Sequence, residues 1–333
     1  MQITLSNPLD MHLHLREGAM LQKVLPFSAR AFCAAVVMPN LSTPINTTAR
    51  ALEYAHQIQI LSPDFTPLVA LYLQESLSIA ELERAKEHGF FLLKLYPQNA
   101  TTNSAQGVGD ILSPQMLKIL RAAEELDFIL CVHAEAPGFV LERERLFHPI
   151  LDTLCVRFPN LSIILEHMSD AASLTLLQRH ANLYATLTLH HIALNLDALL
   201  GEHLNPHLFC KPVLKTPRDQ EALLQLALSA HPKVCFGSDS APHSLEHKHA
   251  CACAAGVFSA PILLEALATL FERHYALKNL QAFVSDNAKR IYALDRRLSL
   301  PSKSITLRKQ PSTPPKIPDL LVPDLPLEWH IDA

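Results

Sequence analysis

The chain has 333 residues, 49% of them hydrophobic and 18% charged, with a formal net charge of -4. That is long and apolar enough to bury a large core, which excludes an intrinsically disordered chain. No basic cluster marks a nucleic-acid or anionic-membrane partner, and no apolar run reaches the ~20 residues that cross a bilayer.

The opening residues MQITLSNPLD have neither a basic start nor an apolar stretch. The expectation is a soluble cytoplasmic protein without a secretory leader. In chain order, apolar runs at 9–15, 34–38, 67–73, 90–96, 128–133, 162–167, 183–189 and 233–239 read as strands. Helical patterns fall between them at 48–61, 79–88, 114–126, 171–180 and 220–231, with a further segment, 141–158, interrupted by Pro149. Runs such as CAAVVM and FILCV are apolar on both faces, as strands are in a parallel sheet covered on both sides. About eight strand-then-helix units in roughly 250 residues predict a (β/α)8 barrel, although periodicity alone also admits a doubly wound sheet. Two more helical patterns follow at 262–275 and 280–294, then a Pro-rich tail from about 301. The tail reads as extended packing or a loose terminus, so residues 1–333 are expected to form one domain. The seven cysteines include no C-x-x-C pair, and Cys33, Cys131 and Cys235 lie in apolar runs. They read as small buried hydrophobes and not as a disulfide framework.

The first strand carries Asp10-Met11-His12-Leu13-His14-Leu15-Arg16. Strict alternation would place His12, His14 and Arg16 on one face, with Leu13 and Leu15 on the other. Two imidazoles on one face can chelate a divalent ion; the alternative is a pair of satisfied polar side chains at a barrel mouth. Other groups suited to metal end later strands: Lys94, His133, His167 and Asp239. In a barrel all strand ends of one polarity meet at one mouth, so these groups converge although they are far apart in sequence. Lys94 needs a separate account. A buried ammonium is costly and repels a cation. A neutral amine that adds carbon dioxide instead becomes a carbamate, which can bridge two ions. The alternative is a lysine paired with a carboxylate or phosphate.

The segments DMHLHLREG, VMPN, KLYPQNATTNS, CVHAE, LEHMS and GSDSAPH resemble the dihydroorotases of the amidohydrolase superfamily, most closely the single-function bacterial type. The resemblance runs in order from about residue 10 to about residue 261. It implies a reversible cyclisation of N-carbamoyl-L-aspartate to L-dihydroorotate, a step of pyrimidine biosynthesis, using two divalent ions. Zinc is the expected metal, although imidazole and carboxylate ligands also suit manganese or cobalt. By resemblance, His12, His14 and Asp239 hold one ion, and His133 and His167 hold the other. Lys94, as N6-carboxylysine, bridges them together with a hydroxide, and Asp239 shuttles the proton. Arg16, Asn40 and His243 would hold the substrate carboxylate, with His133, Ala255 and the backbone at Lys211 also facing the substrate. Thr101 and Thr102 would close over it. Lys211 departs from the family pattern, which has an apolar residue there, and the stretch 250–256 matches a Cys-rich family loop imperfectly.

Residues 98–109, QNATTNSAQGVG, lack apolar periodicity and read as a mobile loop, a lid in which Gly107 and Gly109 let the backbone bend. His247, His249, Cys251 and Cys253 resemble a zinc site, but strict alternation in an extended chain cannot bring all four to one ion. A hydantoinase or allantoinase would share the metal ligands but would have no reason for Arg16, Asn40 and His243 beside the two threonines. A non-catalytic scaffold of the same fold would be expected to lose metal ligands, and all six are present. The family often dimerises, but no interface signature for a homodimer is legible.

Overall fold

The structure is a computed structural model and describes residues 1–332. Eight parallel strands form the barrel: Leu9–Leu13, Ala34–Val37, Thr66–Val69 continuing as Leu71–Tyr72, Leu92–Leu95, Ile129–Val132, Ser162–Leu165, Leu183–Leu187 and Val234–Phe236. Each pairs in parallel with the next. The barrel closes where the eighth strand meets the first: Asp239 N donates to His12 O at 2.8 Å and His14 N to Ser240 O at 3.1 Å. The buried Asp10 carboxylate strengthens the seam by accepting from Ser238 N at 2.7 Å and Ser238 Oγ at 2.6 Å.

Alternation along the strands separates two cores. Ala35, Val37, Leu93, Leu95, Leu130, Val132, Ile163 and Leu165 pack outward with apolar residues of the surrounding helices, such as Leu21, Leu120 and Leu224. Ala34, Val36, Leu92, Ile129, Cys131, Ile164 and Cys235 fill the interior, where Ala288, Ile291, Tyr292 and Leu294 plug one end. Lys94 shares the interior face with Leu92, and His133 shares it with Cys131, so both point into the barrel.

The first strand departs from the strict alternation expected of it. Between Asp10 and Leu13 it advances three residues while its partner advances two, from Ala35 to Val37. Such a bulge puts two successive residues on one face. Met11 therefore joins the interior core while His12 and His14 reach the mouth.

The helices Thr48–Leu61, Pro114–Glu125 and Pro217–Leu228 begin at N-caps Thr47, Ser113 and Thr216, whose side chains accept from backbone N–H groups three residues on. A helix at Gly18–Ala31 was not among those expected. Pro26, inside it, breaks the helical signal in the sequence. The tail is more ordered than expected. Ser304–Ser312 pairs antiparallel with both Gln2–Ser6 and Leu327–Ile331, making a three-stranded sheet. Trp329 from this sheet is fully buried, and its indole N–H donates to Glu272 at 2.9 Å. No helix among the described residues is long and apolar enough to cross a membrane.

Candidate active site

At the C-terminal mouth, His12, His14 and Asp239 come together. His12 Nε2 lies 3.3 Å from His14 Nε2, and Asp239 Oδ1 is 3.4 Å from His12 Nε2 and 3.1 Å from His14 Nε2. The other His12 nitrogen, Nδ1, meets Glu166 Oε2 at 2.7 Å. Burial would push the Glu166 carboxyl up, but His12, Lys94 and the hydroxyl of Thr186 hold it at about 2. It therefore stays an anion and fixes the His12 ring with Nε2 facing the mouth.

The second pair is built in the same way. His133 Nδ1 lies 3.1 Å from His167 Nε2, while His133 Nε2 meets Glu135 Oε2 at 2.9 Å. The rings of His12 and His167 are 5.0 Å apart, so the two groups share one chamber. Lys94 is fully buried between them, and its Nζ has no hydrogen-bond partner. Burial lowers its pKa, as it does those of His12, His14 and His167. Burial raises that of Asp239. Arg16, His167 and Asp239 all adopt positive φ, at 60°, 41° and 45°. Non-glycine residues rarely take that conformation, and it gathers where function fixes the backbone.

These residues suit metal. Neutral imidazoles with lone pairs aimed at one another are poor partners for themselves. Ligands held ~2.0–2.1 Å from a tetrahedral ion stand roughly 3.3 Å apart, close to the spacings of both histidine pairs. The orphaned, buried Lys94 Nζ lacks a partner in the same chamber.

The substrate side lies above. Arg16 donates from Nε to Pro242 O at 3.1 Å, and its Nη2 is 3.0 Å from His243 Nε2. The same His243 nitrogen is 3.0 Å from Ala255 O and can serve only one of the two at a time. Burial and Arg16 push His243 down to about 3, which keeps it neutral. Asn40 Nδ2 donates to Thr102 O at 3.0 Å, Asn103 Nδ2 to Asn40 O at 3.0 Å and Thr102 Oγ1 to Ala255 O at 3.3 Å. The loop is thus folded down on the mouth. Arg16, Asn40, Thr101, Thr102, Lys211 and Ala255 line one cavity with the metal-type ligands, and its volume is only about 20 Å³.

The geometry brings all the expected site residues to one place, His243 by its bonds to Arg16 and Ala255 and the others as lining of the cavity or, for Lys94, buried beside it. Residues 10–294 match the amidohydrolase family. The chain is 56% identical to a dihydroorotase of Helicobacter pylori over 311 residues, 93% of this chain and 91% of that one. A dihydroorotase structure from Campylobacter jejuni superposes with a TM-score of 0.91 at 40% identity, covering 100% of this chain and 98% of the other. One from Saccharomyces cerevisiae, in complex with 5-fluoroorotic acid, gives 0.93 at 34%, covering 99% and 98%. The chain belongs to the dihydroorotases of the amidohydrolase family. As a dihydroorotase it is a metal-dependent cyclic amidohydrolase on a (β/α)8 barrel.

Several residues that shape this dihydroorotase site escaped the sequence reading. Glu166 and Glu135 stand inside the segments LEHMS and CVHAE, beside the histidines they orient. The signal that could have found them is a carboxylate one or two residues from a strand-end histidine, suited to orienting an imidazole. Glu144, in the first turn of the helix Arg143–Arg157, accepts from Ser169 N at 2.8 Å and Asp170 N at 3.1 Å and so holds the loop after His167. Nothing local in the sequence announces that contact. Gly237 has a steric reason: a Cβ there would lie 2.9 Å from Thr186 Cβ and 3.0 Å from His12 Cβ. Gly107 is a packing glycine and not the hinge expected, since a Cβ would meet Tyr96 O at 2.5 Å.

His247, His249, Cys251 and Cys253 do not assemble. Residues Leu245–His249 form a short helix instead of an extended strand, and His247 Nδ1 pairs with Ser244 Oγ at 2.7 Å. A different trio, His190, His191 and Cys210, does converge. Two of its members are already engaged, because His191 Nε2 and Cys210 Sγ both donate to Pro212 O at 3.1 Å.

Proposed function

We propose that this site interconverts N-carbamoyl-L-aspartate and L-dihydroorotate in de novo pyrimidine synthesis, as a cytoplasmic enzyme carrying two zinc ions. The observation that carries this reading is the meeting of two histidine pairs, Asp239 and the unpartnered Lys94 Nζ in one buried chamber, capped by Arg16, Asn40 and the Thr101–Thr102 loop. His12, His14 and Asp239 would hold one ion and His133 and His167 the other. Lys94 as N6-carboxylysine would bridge them, since its depressed pKa favours the neutral amine that takes up carbon dioxide. When bound, the ions lower the pKa of water to roughly 7 and polarise an amide carbonyl.

The chain's own residues do the rest. Asp239, at the junction of both groups, accepts the proton of the attacking water and passes it to the leaving ring nitrogen; closure runs the same path backwards. Glu166 and Glu135 keep the imidazole lone pairs aimed inward. Arg16 presents a fork of N–H donors that fits a carboxylate, and His243 and Asn40 complete that pocket. Thr101 and Thr102 offer hydroxyls to the substrate and exclude water when the loop is down. A hydantoinase-type reading leaves Arg16, Asn40 and His243 without a task. A scaffold reading leaves six aligned metal-type ligands without one. The enzyme would act on this small molecule alone, as a homodimer by family habit and with residues 1–333 as a single domain. The test is turnover of both compounds by purified protein, with metal analysis alongside. Absence of turnover at two bound metals per chain would refute the assignment.

A further inference from the structure

Beyond the Thr101–Thr102 loop the mouth opens into a second groove of about 870 Å³. Its walls include Phe139, Leu199, Leu200, Leu204, Phe209 and Val213. Lys211 is the one charged side chain among the residues that line it. Lys211 also lines the inner cavity, so it stands where the groove meets the site. Two nearby lysines are consumed by backbone: Lys215 Nζ donates to Leu141 O at 2.6 Å, and Lys248 Nζ donates to Phe209 O, Ala254 O and Gly256 O at 3.1, 2.9 and 2.8 Å. Lys211 forms no such bond and no ion pair among the described residues. A charge held between apolar walls acts more strongly on an approaching anion than one in open water, because the walls keep out the solvent that would screen it.

The two compounds of the proposed reaction differ in charge. The open-chain form carries two carboxylates and the ring form one, since ring closure turns one carboxylate into an imide carbonyl. We propose that Lys211 is a charge-selective specificity residue that favours the open-chain dianion over the cyclic monoanion at the entrance to the site. This rests on the reaction assigned above. Arg16, deeper in the cavity, can engage the carboxylate that both forms retain. The carboxylate that only the open form has is the one made where water attacks, beside Asp239, so Lys211, at the junction of groove and cavity, acts on the net charge of the ligand and not on that one group. It is a positioning and selectivity group and takes no part in proton transfer.

The test compares the holoenzyme with Lys211→Met and Lys211→Gln, which remove the charge, and Lys211→Arg, which keeps it. Steady-state kinetics are run in both directions, with metal content checked. Ionic strengths of about 0.01 M and about 0.15 M change the screening length from roughly 30 Å to roughly 8 Å. The interaction scales with ligand charge. At low salt the neutral variants should therefore raise KM about tenfold for carbamoyl aspartate and about threefold for dihydroorotate. The reaction equilibrium is independent of the enzyme, so kcat/KM must fall by the same factor in both directions. The mark of charge selection is thus a roughly threefold shift in the ratio of the two KM values, shrinking at the higher salt and absent in Lys211→Arg. Equal rises in both KM values, or a ratio that salt does not move, would overturn the proposal and leave Lys211 as a packing residue. Failure of the wild-type protein to turn over either compound would instead strike the assigned reaction, so the two failures are distinguishable.

Discussion

Glu144 offers a stringent test of how the barrel mouth is held. Its side chain is 1% exposed and receives four donors: Ser169 N at 2.8 Å, Ser169 Oγ at 2.5 Å, Asp170 N at 3.1 Å and Ser173 Oγ at 2.6 Å. Ser169 and Asp170 follow His167 by two and three residues. In Glu144→Ala the two hydroxyls can turn to other acceptors, and Ser173 Oγ already has His148 Nε2 at 2.8 Å. The two backbone N–H groups cannot turn, and each buried donor left unpaired costs ~1–3 kcal/mol. With a small cavity added, the loss is about 3–6 kcal/mol, a large part of the ~5–15 kcal/mol that holds a typical domain. Glu144→Gln keeps one acceptor and should lose about half as much. The pH dependence has a definite sign. Burial raises the Glu144 pKa above its ordinary 4.5, against the pull of Lys215, Ser169 and Ser173. Its contribution is therefore complete below that value and fades as pH rises through the folded pKa. Glu144→Gln cannot ionise, so it should approach wild type as pH rises. Urea denaturation at several pH values measures this, with metal content read in parallel because His167 should lose its orientation. A Glu144→Ala protein within ~1 kcal/mol of wild type, or one retaining two metals per chain, would refute the reasoning.

The other predictions concern the chemistry. Asp239→Asn keeps an oxygen for metal but cannot carry a proton, so turnover should fall at least ~10²-fold with the fold intact; near-normal kcat would remove Asp239 from proton transfer. Lys94→Ala should lose metal and activity together, and small carboxylic acids should restore part of both; a metal-loaded protein with a bare Lys94 amine in a high-resolution map would contradict the bridge. Replacing Thr101 and Thr102 together by Ala should cut turnover strongly in both directions without changing metal content, and wild-type kinetics in that variant would mean that the loop is no lid.

How much of this was legible in the sequence follows from the physics of each feature. Strands apolar on both faces announce themselves, and a strand-end residue must lie at the mouth once the barrel is inferred. That is why Lys94, His133, His167 and Asp239 could be gathered without coordinates. The bulge at Met11–His12 was not legible, because an extra residue changes the facing of side chains without changing composition. Glu144 was missed for a related reason: its partners lie 25 to 29 residues away, and helix periodicity carries no record of them. The terminal sheet hid behind prolines, which mark Ser304–Ser312 as unlikely strand although it sits in a small sheet whose register tolerates a slip. The Thr101–Thr102 loop was placed correctly, but its glycines were read as joints when one of them serves close packing.

The pairing of Gln2–Ser6 with Ser304–Ser312 also bears on how the polypeptide is made. As the chain leaves the ribosome, the segment carrying His12 and His14 emerges first and yet cannot be enclosed until Ser238 and Asp239 appear more than two hundred residues later. The strand before it waits longer still, for a partner some three hundred residues on. At synthesis rates of about 5–20 residues per second, those early strands stand exposed for roughly ten seconds or more as open edges that another nascent chain could join. Two of the six ligand-type residues, His12 and His14, are thus translated long before the strand that encloses them.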